Sequence, residues 1–249
     1  MDFNFSISNF TRTIRANYTQ KQTMTELVKT KYKSNALPHI QPIGATFFVT
    51  FRLFDTLPKS YLNKFKEDRN LKIAFLKREK PIGYQNKIAN EQKKYFKIYD
   101  EALDKMHNNI RFLEHPNIAK ETIKQLHKYD GKWYDLIAYC IMPNHVHFLI
   151  DTRLQLEKFN FDDEVIIKNY TPLYKIIQRI KGASARHSNL LLDREGISFW
   201  QRDYFDYFIR NNQEFQRIMA YILENPVKAN LVKNWEDFPH SYVKMVGEN

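Results

Sequence analysis

The spacing of apolar and polar positions changes period several times along the chain, and each change marks an element. Residues 45–54 (Ala-Thr-Phe-Phe-Val-Thr-Phe-Arg-Leu-Phe) are β-branched and aromatic between Gly44 and Pro58, which predicts a strand. Residues 59–79 and 85–113 read as helix, interrupted by Pro81 and Gly83. Ile118, Ile123 and Leu126 behind Pro116 predict a shorter helix over 117–128, leading to an Asp130-Gly131 turn. Two strands follow at 133–142 and 145–151, joined by Pro143-Asn144, a dipeptide suited to a tight turn. Leu173, Ile176, Ile177 and Ile180 recur at helical spacing, so an amphipathic helix starts at Pro172 and should weaken at Gly182. A strand at 204–209 precedes a helix from Asn212 with apolar Phe215, Ile218, Met219 and Ile222. Pro226 disfavours helix at the residue before it, so this last helix should end near Glu224 or Asn225.

With the long helical stretch at 59–114 set aside, the order is strand, helix, strand, strand, helix, strand, helix. That is the layout of an α+β, ferredoxin-like or RRM-like antiparallel sheet with helices on one face. The domain reading is a basic N-terminal extension at 1–38 and a single domain at 39–249 that carries a Lys-rich helical insertion at 59–114.

Composition narrows the chemistry. Gly and Pro supply only 6 and 9 of 249 residues and aromatics reach 15%, which excludes collagenous and low-complexity classes. The glycines are too scattered to form a phosphate-binding loop, so no nucleotide cofactor is expected. Cys140 stands alone, which excludes an intramolecular disulfide and suits a reducing compartment. The first residues lack a signal-peptide layout and no apolar run spans a bilayer, so the expectation is a cytoplasmic, nucleoid-associated protein with no membrane partner.

Charge is distributed unevenly. Of a formal net +11, residues 1–38 carry +4 and residues 59–114 carry +6, leaving a nearly neutral body. Both basic segments look like additions to that body, and an excess of this size attracts a polyanion, for which nucleic acid is the commonest candidate. A solvated lysine-rich surface is the bland alternative. Neither segment is expected to contain a residue of the active site.

Two constellations carry candidate chemistry. His145 and His147 lie two apart in a strand, so both imidazoles leave one face while Val146, Phe148 and Ile150 point to the other. Such a pair can present two nitrogen ligands to one metal ion, or can be two partly exposed histidines bonded to their neighbours. In the last helix Tyr221 and Asn225 are four apart, about 40° around the axis, at the margin of the apolar stripe. A tyrosine so placed is ordinarily a packing residue with its hydroxyl in water. Cys140 is expected to be a buried apolar residue rather than a zinc ligand, since no second cysteine supports it.

The run Met142-Pro143-Asn144-His145-Val146-His147-Phe148-Leu149-Ile150 resembles the His-hydrophobic-His motif of single-tyrosine HUH transposases, particularly the REP-associated tyrosine transposases. The resemblance continues through Ile180-Lys181-Gly182, Phe199-Trp200-Gln201-Arg202, Phe205 to Arg210 and Tyr221 to Val232. It covers about residues 40–58 and 116–243. The resemblance implies a DNA endonuclease and strand transferase that acts on single-stranded or hairpin DNA. Tyr221 would be the nucleophile, and His145, His147 and Asn225 would hold Mg²⁺ or Mn²⁺. A phenol with a pKa near 10 attacks poorly at neutral pH, so a cation that polarises the phosphodiester suits it. Attack would leave a 5′-phosphotyrosine and a free 3′-OH.

The candidate DNA contacts are Arg52, Lys175, Arg179, Lys181, Arg186, Arg202, Arg210 and Lys228. Relatives often carry His where this chain has Tyr207, which makes Tyr207 a second candidate tyrosine. The rival readings are a non-catalytic RNA- or DNA-binding module on the same sheet and a metal-dependent hydrolase that forms no covalent intermediate. A monomer is preferred over a dimer, because Tyr221 and His145 can meet within one compact sheet.

Overall fold

The computed structural model describes residues 29–33, 38–105, 109–158, 166 and 168–244. Of the N-terminal extension, 1–28 and 34–37 therefore lie outside the described residues. Its remainder forms β1 (Lys29–Lys33), paired antiparallel with β2 (Pro38–Pro42) as a two-stranded ribbon.

The body is a five-stranded antiparallel sheet. Its strands are β3 (Thr46–Arg52), β4 (Asp135–Ile141), β5 (His145–Asp151), β6 (Phe205–Phe208) and β7 (Ser241–Val243), in the order β6-β3-β5-β4-β7. The first four reproduce the expected ferredoxin-like order, and β7 extends the edge beyond β4. Every residue of β3 and β5 is buried, because these adjacent inner strands are covered on both faces. Gly44 sets the entry to β3 with φ 70, and a Cβ there would collide with Leu156 Cδ1. Only glycine fits that turn.

Strand parity sorts the core. Phe47, Val49 and Phe51 of β3 join Val146, Phe148 and Ile150 of β5 on one face. This face is covered by α3 (Pro116–Lys128) and by α5 (Leu173–Leu191), whose Leu173, Ile176, Ile177 and Ile180 are buried as their spacing predicts. The short α4 (Leu154–Lys158) lies between β5 and α5 in the chain. Trp200 closes the same layer, its ring edge-on to Phe51 at 4.6 Å and its Nε1 donating to Ser184 Oγ. Phe48 and Leu149 point to the opposite face, together with Ile137, Ala138 and Cys140 of β4. A β-bulge between Leu136 and Ala138 puts Ile137 and Ala138 on the same side. The expectation of helices on one face holds for the two crossover helices. It is corrected by α6 (Asn212–Lys228), which lays Phe215, Met219 and Ile222 over the second face.

Three boundaries differ from the sequence reading. Helix α5 runs through Gly182 to Leu191, because Gly182 is exposed and the buried Ser184, Ser188 and Asn189 continue the inward stripe. Helix α6 passes Pro226 and ends at Lys228. Pro226 is buried, and the turn after it closes through the Ala229 N–H to the Asn225 carbonyl at 3.0 Å. The insertion forms α1 (Lys59–Glu79) and α2 (Tyr84–Lys105) rather than helix to 113; beyond 106–108, which are not described, Asn109 turns left-handed at φ 57 and a single 3₁₀ turn spans Phe112–Glu114. Among the described residues no helix is long and apolar enough to cross a membrane.

Helix α2 docks on the body beside α6. Leu103 is fully buried, Phe96 lies edge-on to Phe48 at 5.3 Å, and Lys93 Nζ pairs with Glu214 Oε1 at 2.8 Å.

Candidate active site

His145 and His147 emerge from β5 on the α6 face, and both are fully buried rather than partly exposed. Their Nε2 atoms stand 2.9 Å apart. Each ring is held from behind. The Asn144 amide donates through Nδ2 to the Leu103 carbonyl at 2.8 Å, which leaves its Oδ1 to accept from His145 Nδ1 at 2.6 Å. His145 Nδ1 therefore carries the proton and Nε2 offers a lone pair. Thr50 Oγ1 is 2.7 Å from His147 Nδ1, a pairing set by the β3–β5 register that places Thr50 opposite His147. A carboxylate, carbonyl or hydroxyl behind the ring is how metal-ligating histidines are usually oriented.

Tyr221 and Asn225 reach the histidines from α6. The Tyr221 ring centroid is 5.4 Å from that of His147, and its edge meets Phe48 at 5.8 Å. Asn225 is 2% exposed with its Nδ2 3.4 Å from His147 Nε2, and its Oδ1 has no hydrogen-bond partner. Tyr207 is engaged elsewhere: its hydroxyl donates to Glu214 Oε1 at 2.5 Å, and Arg210 Nη1 lies 3.4 Å away. Of the two tyrosines it is Tyr221 whose ring meets a candidate ligand.

The structure adds a residue that the sequence reading placed outside the site. Asp100 of α2 is 6% exposed, with Oδ1 3.2 Å from His147 Nε2 and 3.9 Å from His145 Nε2, while Oδ2 accepts a hydrogen bond from the Tyr221 hydroxyl. The expectation that the insertion holds no active-site residue is thus corrected. The available signal was the position of Asp100 at helical spacing between Phe96 and Leu103, which puts a carboxylate in an inward-facing stripe. Nothing in the sequence said which surface that stripe meets.

Electrostatics follow from burial. Burial, then the neighbouring His147, hold the His145 imidazole down to about 3, so it is neutral at physiological pH. Burial works to raise Asp100, but His147, His145 and the Tyr221 hydroxyl outweigh it and keep the carboxyl below its ordinary value. Burial and the Asp100 charge push the Tyr221 phenol well above its ordinary value. Burial and Asp100 also raise Asp104 to about 6. Burial pushes the Cys140 thiol up to about 12, which disfavours a thiolate ligand.

These donors fit a divalent cation. Two nitrogens each about 2.1 Å from one ion stand about 3 Å apart, close to the His145–His147 spacing. Asp100 Oδ1 and Asn225 Oδ1 are buried acceptors without a hydrogen-bond donor, and each such orphan costs about 1–3 kcal/mol. Asp100, His145 and His147 place one ligand atom each within 4.8 Å of one another. Imidazole, amide and carboxylate are donors compatible with Mg²⁺ or Mn²⁺.

A cleft of about 810 Å³ opens beside this cluster between α2 and α6. Its floor includes Phe48, Phe96, Phe205, Tyr221 and Asn225, and its cations are Lys93, Lys97, Lys105, Arg217 and Lys228. Of the expected DNA contacts, only Lys228 lines it. Lys175, Arg179 and Arg186 are exposed on α5, across the sheet from the histidines. Arg202 and Arg210 are exposed near β6. Arg52 is corrected: it is 2% exposed, donating to the Leu53 carbonyl and to Thr56 Oγ1, with Tyr99 5.9 Å away. Lys181 is spent similarly, its Nζ donating to the Gln201 and Arg202 carbonyls.

Comparison with known proteins finds similar chains. A protein of Haemophilus influenzae (strain ATCC 51907 / DSM 11121 / KW20 / Rd), named for the REP-associated tyrosine transposases, is 31% identical over 108 residues, 43% of this chain. The match spans 58% of that relative's length. A solved REP-associated tyrosine transposase bound to a REP hairpin aligns over 85% of this chain and 81% of its own, with a TM-score of 0.44 and 14% identity. No family model matches the chain.

Proposed function

We propose that this chain is a metal-dependent endonuclease and strand transferase that acts on single-stranded DNA near hairpins through a covalent tyrosine intermediate. The observation that carries the reading is the meeting of Tyr221 with His145, His147 and Asn225 beside an open, cation-rimmed cleft. The sequence similarity to the Haemophilus influenzae protein supports the same class.

In this reading the strand enters the cleft between α2 and α6, with Lys97, Lys105, Arg217 and Lys228 against phosphates and bases against Phe96 and Phe205. The two rings lie stacked with centroids 4.2 Å apart, and aromatic faces of this kind bind bases without sequence preference. Asn144 and Thr50 hold the imidazoles by their Nδ1 atoms, which leaves both Nε2 atoms directed at one point, 2.9 Å from each other. His145, His147 and Asn225 would hold Mg²⁺ or Mn²⁺, which when bound polarises the phosphodiester and favours the ionised phenol. Tyr221 Oη gives up its proton and forms a bond to phosphorus, the bond from phosphorus to the 3′ oxygen breaks, and the departing oxygen takes up one proton in exchange, so that protons balance. The product is a 5′-phosphotyrosine with a free 3′-OH, and reversal of the same step rejoins strands. Tyr221 meets His147 within one chain, so the reading requires no second copy.

Incubation with a single-stranded hairpin oligonucleotide and Mn²⁺ is expected to give a denaturation-resistant protein–DNA adduct. Metal-dependent cleavage without adduct would replace this reading with the hydrolase, and binding without cleavage would replace it with a binding module.

A further inference from the structure

We propose that Asp100 is a further metal ligand and the residue that ties the ion to the nucleophile, one carboxylate oxygen joining His145, His147 and Asn225 while the other holds the Tyr221 hydroxyl. This rests on the metal-dependent reading above and goes beyond its ligand set.

The first support is the state of the carboxylate. Asp100 is nearly buried, and among the described residues its ion-pair contacts are only the two histidines, with no lysine or arginine. Lys93, which lines the same cleft, is engaged with Glu214 at 2.8 Å. A buried carboxylate needs a compensating cation or several donors. Oδ2 has the Tyr221 hydroxyl, whereas Oδ1 faces only the two Nε2 atoms, at 3.2 Å from His147 and 3.9 Å from His145.

The second support is the charge balance of the ligand set. Two imidazoles and an amide are neutral and leave the full charge of a divalent ion uncancelled. Adding one carboxylate leaves net +1 and, for an octahedral ion, two positions for phosphate oxygens. The third is the mounting. Asp100 rides on α2, which is fixed to the body by buried Leu103 and by the Asn144 amide, and that same amide orients His145. The insertion therefore both supplies a ligand and steadies another, so the centre is complete only when α2 is docked.

The experiment is calorimetric titration of the full chain with MnCl₂. Asp100→Asn is nearly isosteric and should lose at least about tenfold in affinity. Glu101→Gln removes the same charge from an exposed neighbour and should titrate like the wild type. Asp100→Cys provides an arm that does not depend on Asp100→Asn folding. A thiolate at this position should favour Cd²⁺ over Mn²⁺ relative to the wild type, with a thiolate-to-metal absorption band, while Cys140 stays buried. Asp100→Asn binding Mn²⁺ as tightly as the wild type, or more tightly, would show that the carboxylate merely occupies the ion's place and would overturn the inference. So would a folded Asp100→Cys without altered metal preference. His147→Ala separates the two levels: loss of Mn²⁺ there with retention in Asp100→Asn defeats only the role of Asp100, whereas a wild type that binds no Mn²⁺ defeats the metal-dependent reading as well.

Discussion

Replacing Tyr221 by phenylalanine removes one oxygen and leaves the ring against Phe48 and Phe96, at centroid distances of 5.8 and 5.9 Å. The missing hydroxyl is the donor to Asp100 Oδ2, and Oδ1 has no hydrogen-bond partner. A buried charged acceptor deprived of its donor costs about 1.5–3 kcal/mol. In a chain of this size that corresponds to a fall in melting temperature of about 3–12 °C. The protein should therefore stay folded and bind DNA, while the covalent adduct disappears completely. Tyr207→Phe provides the contrast. Its partner Glu214 Oε1 keeps the Lys93 ammonium at 2.8 Å, so the cost should be about 1 kcal/mol and the adduct should persist. Both variants are read by denaturing electrophoresis of a labelled hairpin oligonucleotide, with thermal unfolding followed in parallel. Adduct that survives Tyr221→Phe and vanishes in Tyr207→Phe would refute the assignment of the nucleophile.

Metal binding should depend on the histidines most: His145→Ala and His147→Ala are each expected to suppress cleavage and Mn²⁺ binding, and Asn225→Ala to do so more mildly, as calorimetry would report. Stability should fall in acid because the His145 pKa is depressed on folding, from about 6.5 to about 3. Below about 6.5 the unfolded chain takes a proton that the folded chain refuses, so this contribution is lost as pH falls from 6.5 towards 3. Urea unfolding at pH 7 and pH 4.5 should show the loss, and His145→Gln should reduce the difference; an unchanged difference would remove His145 as its cause. Neutralising Lys97, Lys105, Arg217 and Lys228 together should flatten the salt dependence of single-strand binding, by about 0.7 in the log–log slope for each phosphate that no longer meets a cation. The same treatment of Lys175, Arg179 and Arg186 should leave the slope unchanged, and the opposite result would move the DNA to the α5 face.

Local pattern in the chain was enough to set the elements and the faces they present. Side-chain alternation in β5 is a backbone property, so His145 and His147 had to share a face whatever surrounded them. The four-residue spacing of Tyr221 and Asn225 likewise put both on one side of α6 before any packing was known. The apolar stripe of α5 and the aromatic run of β3 were legible because a single period persists through each. Helix ends were less legible, since a buried Pro226 is tolerated in a last turn by contacts that local propensity does not record. Long-range packing settled which helix covers which face, and hence that Lys175 and Arg179 lie across the sheet from the histidines. It also turned Arg52 inward. It brought Asp100, more than forty residues from His145 in the chain, against the histidines and Tyr221. The surface on which α2 docks is assembled from β3, β5 and α6 together, and no periodicity within the insertion encodes that partner.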